Sequence, residues 1–443
     1  MSTPRATPEP LTASLLAGVI GATVLGLGLR LLWVLKLHPP SSEVFSDMQS
    51  YVDRARHLLA GRYDSGDWLY PPGTSAPLAL WMKLTPFSWQ RSAAVMQAVL
   101  AAAEIPLIFI GARRWFGNRV ALMAAASFSI YYLAIDYAGL FSSEVYLTFW
   151  LVLAVALLDP DRPVRMALAG LALGLGALAK PQVMLLAPMW FGLLAMRRQW
   201  NQAAALTAAC AAVVLPASII CTRATGHLQV LSSTSGVVMV QAWCPVKDVE
   251  AHSSAWSMAF GLPTVSTRIG RGEQEAMWGH ARYDVPFTDS GFYMREGLRC
   301  IARFPAHALR TLALNLWDTF GGPPWSFQGP WPDAATDWRK PTLWCNQLFS
   351  WLVVPFAFLG MWRHRRDRGM LFAVTLPVAS CIVTCLVFHG EPRFRVPYDF
   401  AILVGAWMGL ASMRRSREVA PVARDAPVTQ VERSPDVAAR TSA

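Results

Sequence analysis

The sequence predicts an all-α polytopic membrane protein with about ten transmembrane helices, an amphipathic first extracytoplasmic loop and one larger extracytoplasmic segment. Three observations carry this reading. Apolar runs of about 17 to 25 residues, long enough to cross a bilayer as helices, recur along the chain. Only 15% of its 443 residues are charged, against about 25% in an ordinary soluble domain. The net charge of +11 is gathered into short clusters between apolar runs: Arg113-Arg114, Arg197-Arg198, Arg363-His364-Arg365-Arg366 and Arg414-Arg415-Ser416-Arg417. Short basic loops mark the cytoplasmic side of a membrane, so the charge speaks for topology and lipid headgroups rather than nucleic acid.

Taken in order, spans are expected at 11–37, 92–112, 119–135, 143–158, 165–180, 182–196, 202–221, 342–362, 370–388 and 396–413. The first is too long for a signal-peptide core and is kept as a retained helix. An even number of crossings puts both termini on one side, and every Arg cluster falls there too. The pair 165–180 and 182–196 is short and parted only by Lys180-Pro181-Gln182. Losing either would turn the Arg363–Arg366 cluster to the other face. The extracytoplasmic pieces are then 38–91, Asp136–Ser142, 222–341 and the loop from His389 to Pro397.

Within 38–91, Met48, Val52, Ala55, Leu58 and Leu59 recur at helical spacing, with Asp53, Arg54, Arg56 and His57 largely off that face. This predicts an amphipathic helix at the interface, with Asp47 at its N-terminal end. Asp47 or Ser46 then either caps the helix or does chemistry. Tyr70-Pro71-Pro72-Gly73 predicts a rigid turn. Residues 305–320 carry a helical apolar pattern suited to the interface, and most of the 19 Trp read as interface anchors. From Ser416 the chain is polar, aperiodic and expected to be disordered. Of the 7 Cys, Cys210, Cys221, Cys381 and Cys385 read as small hydrophobes, while Cys244 and Cys300 share one polar segment and suit a disulfide if it faces an oxidising compartment. No Cys or His spacing suggests zinc.

Ionisable groups near a bilayer are costly to keep and therefore informative. Asp47, Asp136, Glu144, Lys180, Glu391, Arg393 and Arg395 all map near the outer surface. A carboxylate to take a proton from an acceptor, and cations to hold a departing phosphate, are what group transfer from a lipid phosphate requires. Arg393 and Arg395 either clamp phosphate or reach for headgroups. Lys180 either holds phosphate or anchors a helix end. Glu391 alternatively pairs with one of the arginines. His57 and His389 are isolated and read as structural.

Several stretches together resemble the C-type (GT-C) membrane glycosyltransferases, in the bacterial branch related to protein O-mannosyltransferases and the lipid A aminoarabinose transferase. They are Ser46-Asp47-Met48 with Tyr51, Leu58-Leu59-Ala60-Gly61, Gly66-Asp67-Trp68, Tyr70-Pro71-Pro72-Gly73, Phe141-Ser142-Ser143-Glu144, Gly170 to Gly176 leading to Leu178-Ala179-Lys180-Pro181, and His389 to Tyr398. They cover roughly 40–190 and 385–410. The resemblance implies inverting transfer of a sugar from a polyprenyl-phosphate donor to an acceptor hydroxyl of a lipid, glycan or protein, at the outer face of a bacterial inner membrane. It implies Asp47 as catalytic base, with Glu144 orienting the acceptor or Asp47. Lys180, Arg393 and Arg395 are expected at the donor phosphate, and Tyr51, Tyr70, Asp136 and Glu391 as further substrate contacts. Relatives often carry two adjacent acidic residues where this chain has Asp47-Met48, so no metal ligand is named, and a divalent cofactor stays open.

On this reading 1–10 is a cytoplasmic tail and 11–221 a transmembrane catalytic core that includes the loop 38–91. Segment 222–341 is extracytoplasmic and acceptor-side, 342–413 holds the C-terminal spans, and 414–443 is a disordered cytoplasmic tail. Segment 222–341 touches the resemblance only through Ser232-Ser233-Thr234-Ser235-Gly236. Two other classes remain: a transporter or flippase of lipid-linked sugars, which would carry charges near the bilayer midplane on broken helices, and a non-catalytic protein of envelope assembly.

Overall fold

The computed structural model describes residues 10–39, 44, 47–244, 288–321 and 344–418, with side chains to 413. Ser46, the terminal residues 1–9 and 419–443, and the Gly-, Pro- and Trp-rich stretch at 322–343 lie outside the described residues. Among the described residues the chain is helical, apart from a single bridge between Val230 and Ser232. The helices are α1 (Ala13–Leu32, prolonged by a π turn over Trp33–Leu37), α2 (Asp47–Leu59), α3 (Ser75–Leu84), α4 (Trp89–Ser129), α5 (Tyr132–Ala138), α6 (Ser143–Leu157) and α7 (Pro163–Ala179). Then come α8 (Leu186–Met196), α9 (Trp200–Thr225), α10 (Thr234–Trp243), α11 (Ser290–Arg303), α12 (Pro305–Gly321), α13 (Trp344–Arg363), α14 (Arg368–Val387) and α15 (Asp399–Glu418).

Among the described residues six helices are long and apolar enough to cross a membrane: α1, α4, α9, α13, α14 and the segment Pro392–Met413. This is a polytopic integral membrane protein. The expected spans at 92–112 and 119–135 are the two limbs of α4, which kinks at Gly117, where φ is +82° and a side chain would be strained. The second limb stops at Ser129, and its continuation is the separate helix α5; the break at Ile130–Tyr131 turns the Tyr131 hydroxyl onto the Asp399 carboxylate. The spans expected at 143–158, 165–180 and 182–196 are the shorter apolar helices Ser143–Leu157, Pro163–Ala179 and Pro181–Met196. Helix α15 continues to Glu418, past the expected onset of disorder at Ser416; the sequence has no Gly or Pro between Gly409 and Pro421 to stop it sooner.

Close helix approach rests on small residues, as is usual where lipid offers no hydrophobic drive between helices. Gly170 of α7 faces the Leu206 carbonyl of α9, where a Cβ would sit 2.1 Å from that oxygen. Gly360 of α13 and Gly409 of α15 meet in the same way against the Gly405 and Phe356 carbonyls.

The bundle has two chemically distinct ends. At one, the loops after α6, α8 and α13 meet the kink of α4. Arg114 and Arg165 flank Asp159, and Arg368 donates to Asp161 and Gln199. The other end gathers the π turn after α1, the starts of α6, α8 and α15, and the ends of α7 and α14, where Gln182 donates to the Phe394 carbonyl. The carboxylates and cations singled out in the sequence lie at this second end.

Candidate active site

Helix α2 forms because Met48, Val52 and Ala55 share one face, and all three are buried against the core. The expected exposure of the opposite face holds for Asp53 and Arg56 but not for Arg54. The Arg54 guanidinium turns inward, donates to the Asp67 carbonyl at 2.8 Å and stacks over the Tyr70 ring. His57 bonds the Asp67 carboxylate at 2.8 Å. These contacts sew the loop back onto the helix, and sequence patterning missed both Arg54 and Asp67 as its fasteners. The Tyr70-Pro71-Pro72-Gly73 turn then docks on the end of α7: Gly73 N–H donates to the Leu178 carbonyl at 2.8 Å, and a Cβ at Gly73 would lie 2.4 Å from that backbone. The first loop is thereby held two residues from Lys180.

Asp47 occupies the first turn of α2. Its Oδ1 accepts from the Tyr70 hydroxyl at 3.0 Å and its Oδ2 from Arg393 Nη1 at 2.8 Å. Both oxygens therefore face residues distant in sequence. Arg393 also reaches Glu391, with Nε 2.7 Å from Oε2, an ion pair without hydrogen-bond alignment. Beside this group Lys180 Nζ donates to Glu144 Oε1 at 2.6 Å and lies over the Phe394 ring, which Arg393 also covers. Tyr51 tilts against Tyr70 with ring centroids 5.3 Å apart. Burial, then the Asp47 and Glu144 charges, push the Tyr51 hydroxyl far above its usual range; burial does the same for Tyr70. Both stay protonated, and Tyr70 serves as a donor to Asp47.

Asp136 is buried in α5, and its charge bears on Tyr137, which also feels Glu144, Glu391 and Arg393. His389 is buried against Phe394, and burial with the Arg393 and Lys180 charges holds it neutral. Arg395 is elsewhere. It is 1% exposed, pairs with Asp399 at 2.9 Å, and donates to Asn346, Ser350 and the Thr319 and Phe320 carbonyls. A spacing of two suggests a shared phosphate clamp, but Pro392–Arg395 is a helical turn, and residues two apart on a helix point in different directions. Arg393 therefore faces Asp47 while Arg395 fastens α15 to α12 and α13.

Asp47 and Glu144 each face a cation, and among the described residues no group of three His, Cys, Asp or Glu is arranged to hold a metal. The stretch after α9 covers part of the first loop. Ser233 N–H donates to the Trp68 carbonyl at 3.0 Å and the Thr234 hydroxyl to the Leu69 carbonyl, so α10 sits on the first loop. A Cys244–Cys300 disulfide joins α10 to α11, and Cys244 and Tyr70 both pack against the cluster of Leu69, Val237, Val240 and Tyr293.

Residues 70–221 match the model of the dolichyl-phosphate-mannose-protein mannosyltransferase family. The chain resembles the C-type membrane glycosyltransferases, as its motifs imply. The match spans roughly a third of the sequence and includes Tyr70, Glu144 and Lys180 but not Asp47 or Arg393. Among solved structures, the Archaeoglobus fulgidus oligosaccharyltransferase in its apo form aligns with a TM-score of 0.51 at 13% identity, over 91% of this chain and 52% of that one. The same enzyme tethered to an acceptor peptide containing the NVT sequon gives 0.50 at 14% identity, over 91% and 50%. Its complex with an inhibitory peptide and a dolichol-phosphate gives 0.49 at 14%, over 94% and 52%. The chain thus spans about half the length of these proteins, and at such identity the likeness is one of fold. No curated protein matches the sequence significantly.

Proposed function

We propose that this protein transfers a sugar from a polyprenyl-phosphate donor to an acceptor hydroxyl at the outer face of the membrane, with Asp47 as base. The observation that carries the reading is the Tyr70–Asp47–Arg393 array beside Lys180–Glu144 at the end of the bundle opposite the Arg clusters. The family match supports a lipid-phosphate sugar donor.

In the mechanism, Asp47 takes the hydroxyl proton as the acceptor oxygen attacks the anomeric carbon from the face opposite the phosphate. The C–O bond to phosphate breaks, and its electron pair leaves with polyprenyl phosphate, inverting the anomeric centre. Asp47 is the most exposed charged group of the array, its side chain 19% accessible against 2% for Glu144 and 7% for Arg393. The donor phosphate competes with Asp47 for Arg393, freeing a carboxylate oxygen for the proton, and Arg393 and Lys180 stabilise the charge that grows on the leaving oxygen. Glu144 holds the Lys180 ammonium in place. Segment 222–341 supplies the acceptor side through α10 and α11.

We place the protein in a bacterial inner membrane; the disulfide at the site end and the Arg clusters at the other end support both termini cytoplasmic and the site extracytoplasmic. A transporter would move donor without consuming it; release of polyprenyl phosphate and formation of a glycosylated acceptor by purified protein separates the two. General-base catalysis is worth about 10²–10⁴-fold, so Asp47→Asn is expected to lose that much turnover with unchanged thermal stability. A folded, fully active Asp47→Asn protein would end the assignment.

A further inference from the structure

Helix α12 is inside out. Its apolar side chains Leu309, Leu316 and Trp317 are 69%, 39% and 62% exposed, while Thr311, Asn315, Asp318 and Thr319 are buried. At 17 residues it falls short of the bilayer-spanning helices. Its outer face suits the lipid interface, and its polar face closes the site end of the bundle. Gly390 makes the contact tight: its N–H donates to Asn315 Oδ1 at 3.1 Å, and a Cβ there would overlap the Asn315 carbonyl. Asn315, Asp318 and Thr319 share that face at helical spacing. Asp318 is 3% exposed, its Oδ2 has no hydrogen-bond partner among the described residues, and the nearby charge that bears on it is Glu391. Glu391 pairs with Arg393, and Arg393 with Asp47, so Asp318 stands at the far end of a line of charges that ends on the proposed base.

We propose that Asp318 is a positioning residue whose proton, held or lost on the α12 face that packs against Gly390 and Glu391, sets how freely Arg393 takes up the donor phosphate. This rests on the function proposed above. When Asp318 carries the proton, Glu391 alone opposes Arg393, which keeps attraction to spare for phosphate. When Asp318 loses it, a second negative charge stands behind Glu391, neutralises Arg393 more fully and repels the incoming anion. Burial, then the Glu391 charge, pushes the Asp318 carboxyl up to about 7, and burial raises Glu391 as well. The other groups facing this end of α12 are His389, held neutral, Arg393, Arg395 on its own Asp399 partner, and Cys385 beside Thr319. Helices α10 and α11 meet α12 through Met239, Trp243 and Cys300 of the disulfide.

The test compares the full chain and its Asp318→Asn variant in nanodiscs, with a short polyprenyl phosphate as probe. Wild-type affinity is expected to fall up to about tenfold per pH unit above neutrality, the limit for one ionisation, while Asp318→Asn keeps its acid-side affinity throughout. Thermal stability gives a readout independent of any ligand. A carboxyl raised in the folded state binds its proton more tightly folded than unfolded, so wild-type stability declines as pH rises from about 4 to about 7, and Asp318→Asn lacks that decline. The infrared carbonyl band of a protonated carboxyl should vanish in the variant near neutral pH. Parallel pH profiles of affinity and stability in the two proteins would overturn the proposal, as would loss of probe binding by Asp318→Asn at every pH. If neither protein binds the probe at any pH, the donor reading fails together with the control of Arg393, and the stability profiles still decide whether Asp318 holds its proton near neutrality.

Discussion

Arg393 and Arg395 are two residues apart in sequence, and their environments assign them opposite duties. Arg393 sits between two carboxylates in a region whose other walls are aromatic, so its substitution leaves Asp47 and Glu391 facing each other without a cation. Arg393→Ala is expected to weaken donor binding by tenfold or more, read as a rise in KM for the donor, and to lower the melting temperature as well, since Glu391 is left buried without its cation. Arg395 is closed in by Asp399, Asn346 and three helices, and removing one partner of a buried ion pair costs about 3–5 kcal/mol. Arg395→Ala is therefore expected to lower yield and melting temperature sharply. A well-folded Arg395→Ala protein that has lost only donor affinity would reverse the two assignments. Glu104 and Arg30 show the same logic inside the bundle. Arg30 is fully buried, donates to the Gly26 and Ser129 carbonyls and feels the Glu104 charge. This charged pair in the spans was not singled out from sequence, although Arg and Glu inside apolar runs were signal enough.

At the scale of elements, the contact of α13 with α15 depends on the absence of side chains at Gly360 and Gly409. A methyl at Gly409 would come 2.2 Å from the Phe356 carbonyl. Overpacking of this kind costs about 1–3 kcal/mol, so Gly409→Ala is expected to lower the melting temperature measurably, whereas Gly28→Ala, where the added carbon meets nothing within 4 Å, is not. Equal melting temperatures would show that the helices part without penalty. The α10–α11 pair is built differently. Hydrogen bonds to Trp68 and Leu69 and one disulfide hold it on the first loop. Removing a native disulfide typically costs about 2–5 kcal/mol. Cys244→Ser should loosen this pair, lowering stability and exposing residues near Tyr70 to limited proteolysis, an effect that treatment of the wild type with reductant should copy.

For the whole molecule, the separation of charge between the two ends does the organising. One end carries Arg114, Arg165 and Arg368 around Asp159 and Asp161; the other carries the Asp47 and Glu144 arrays. This sorting was legible in the sequence, because helix length and positive charge in short loops follow one-dimensional rules. The arrival of Glu144 and Lys180 at one end followed from counting crossings. Their direct pairing did not, since a 36-residue separation says nothing about approach.

The sequence by itself determined the membrane class, the positions of the apolar helices, the amphipathic α2 with Asp47 in its first turn, and the candidate disulfide pair. Each depends on periodicity or composition along the chain, and hydrophobic burial enforces that pattern whatever the neighbours are. Only the tertiary structure decided which charges are partners: Asp47 with Arg393 and Tyr70, Lys180 with Glu144, Arg395 withdrawn to Asp399, and Asp318 brought behind Glu391 by the inward polar face of α12. Pairing across hundreds of residues is set by how helices pack and kink, through positions such as Gly73, Gly117 and Gly390. The meaning of those glycines is steric and appears only when a second segment lies against them or the backbone turns there.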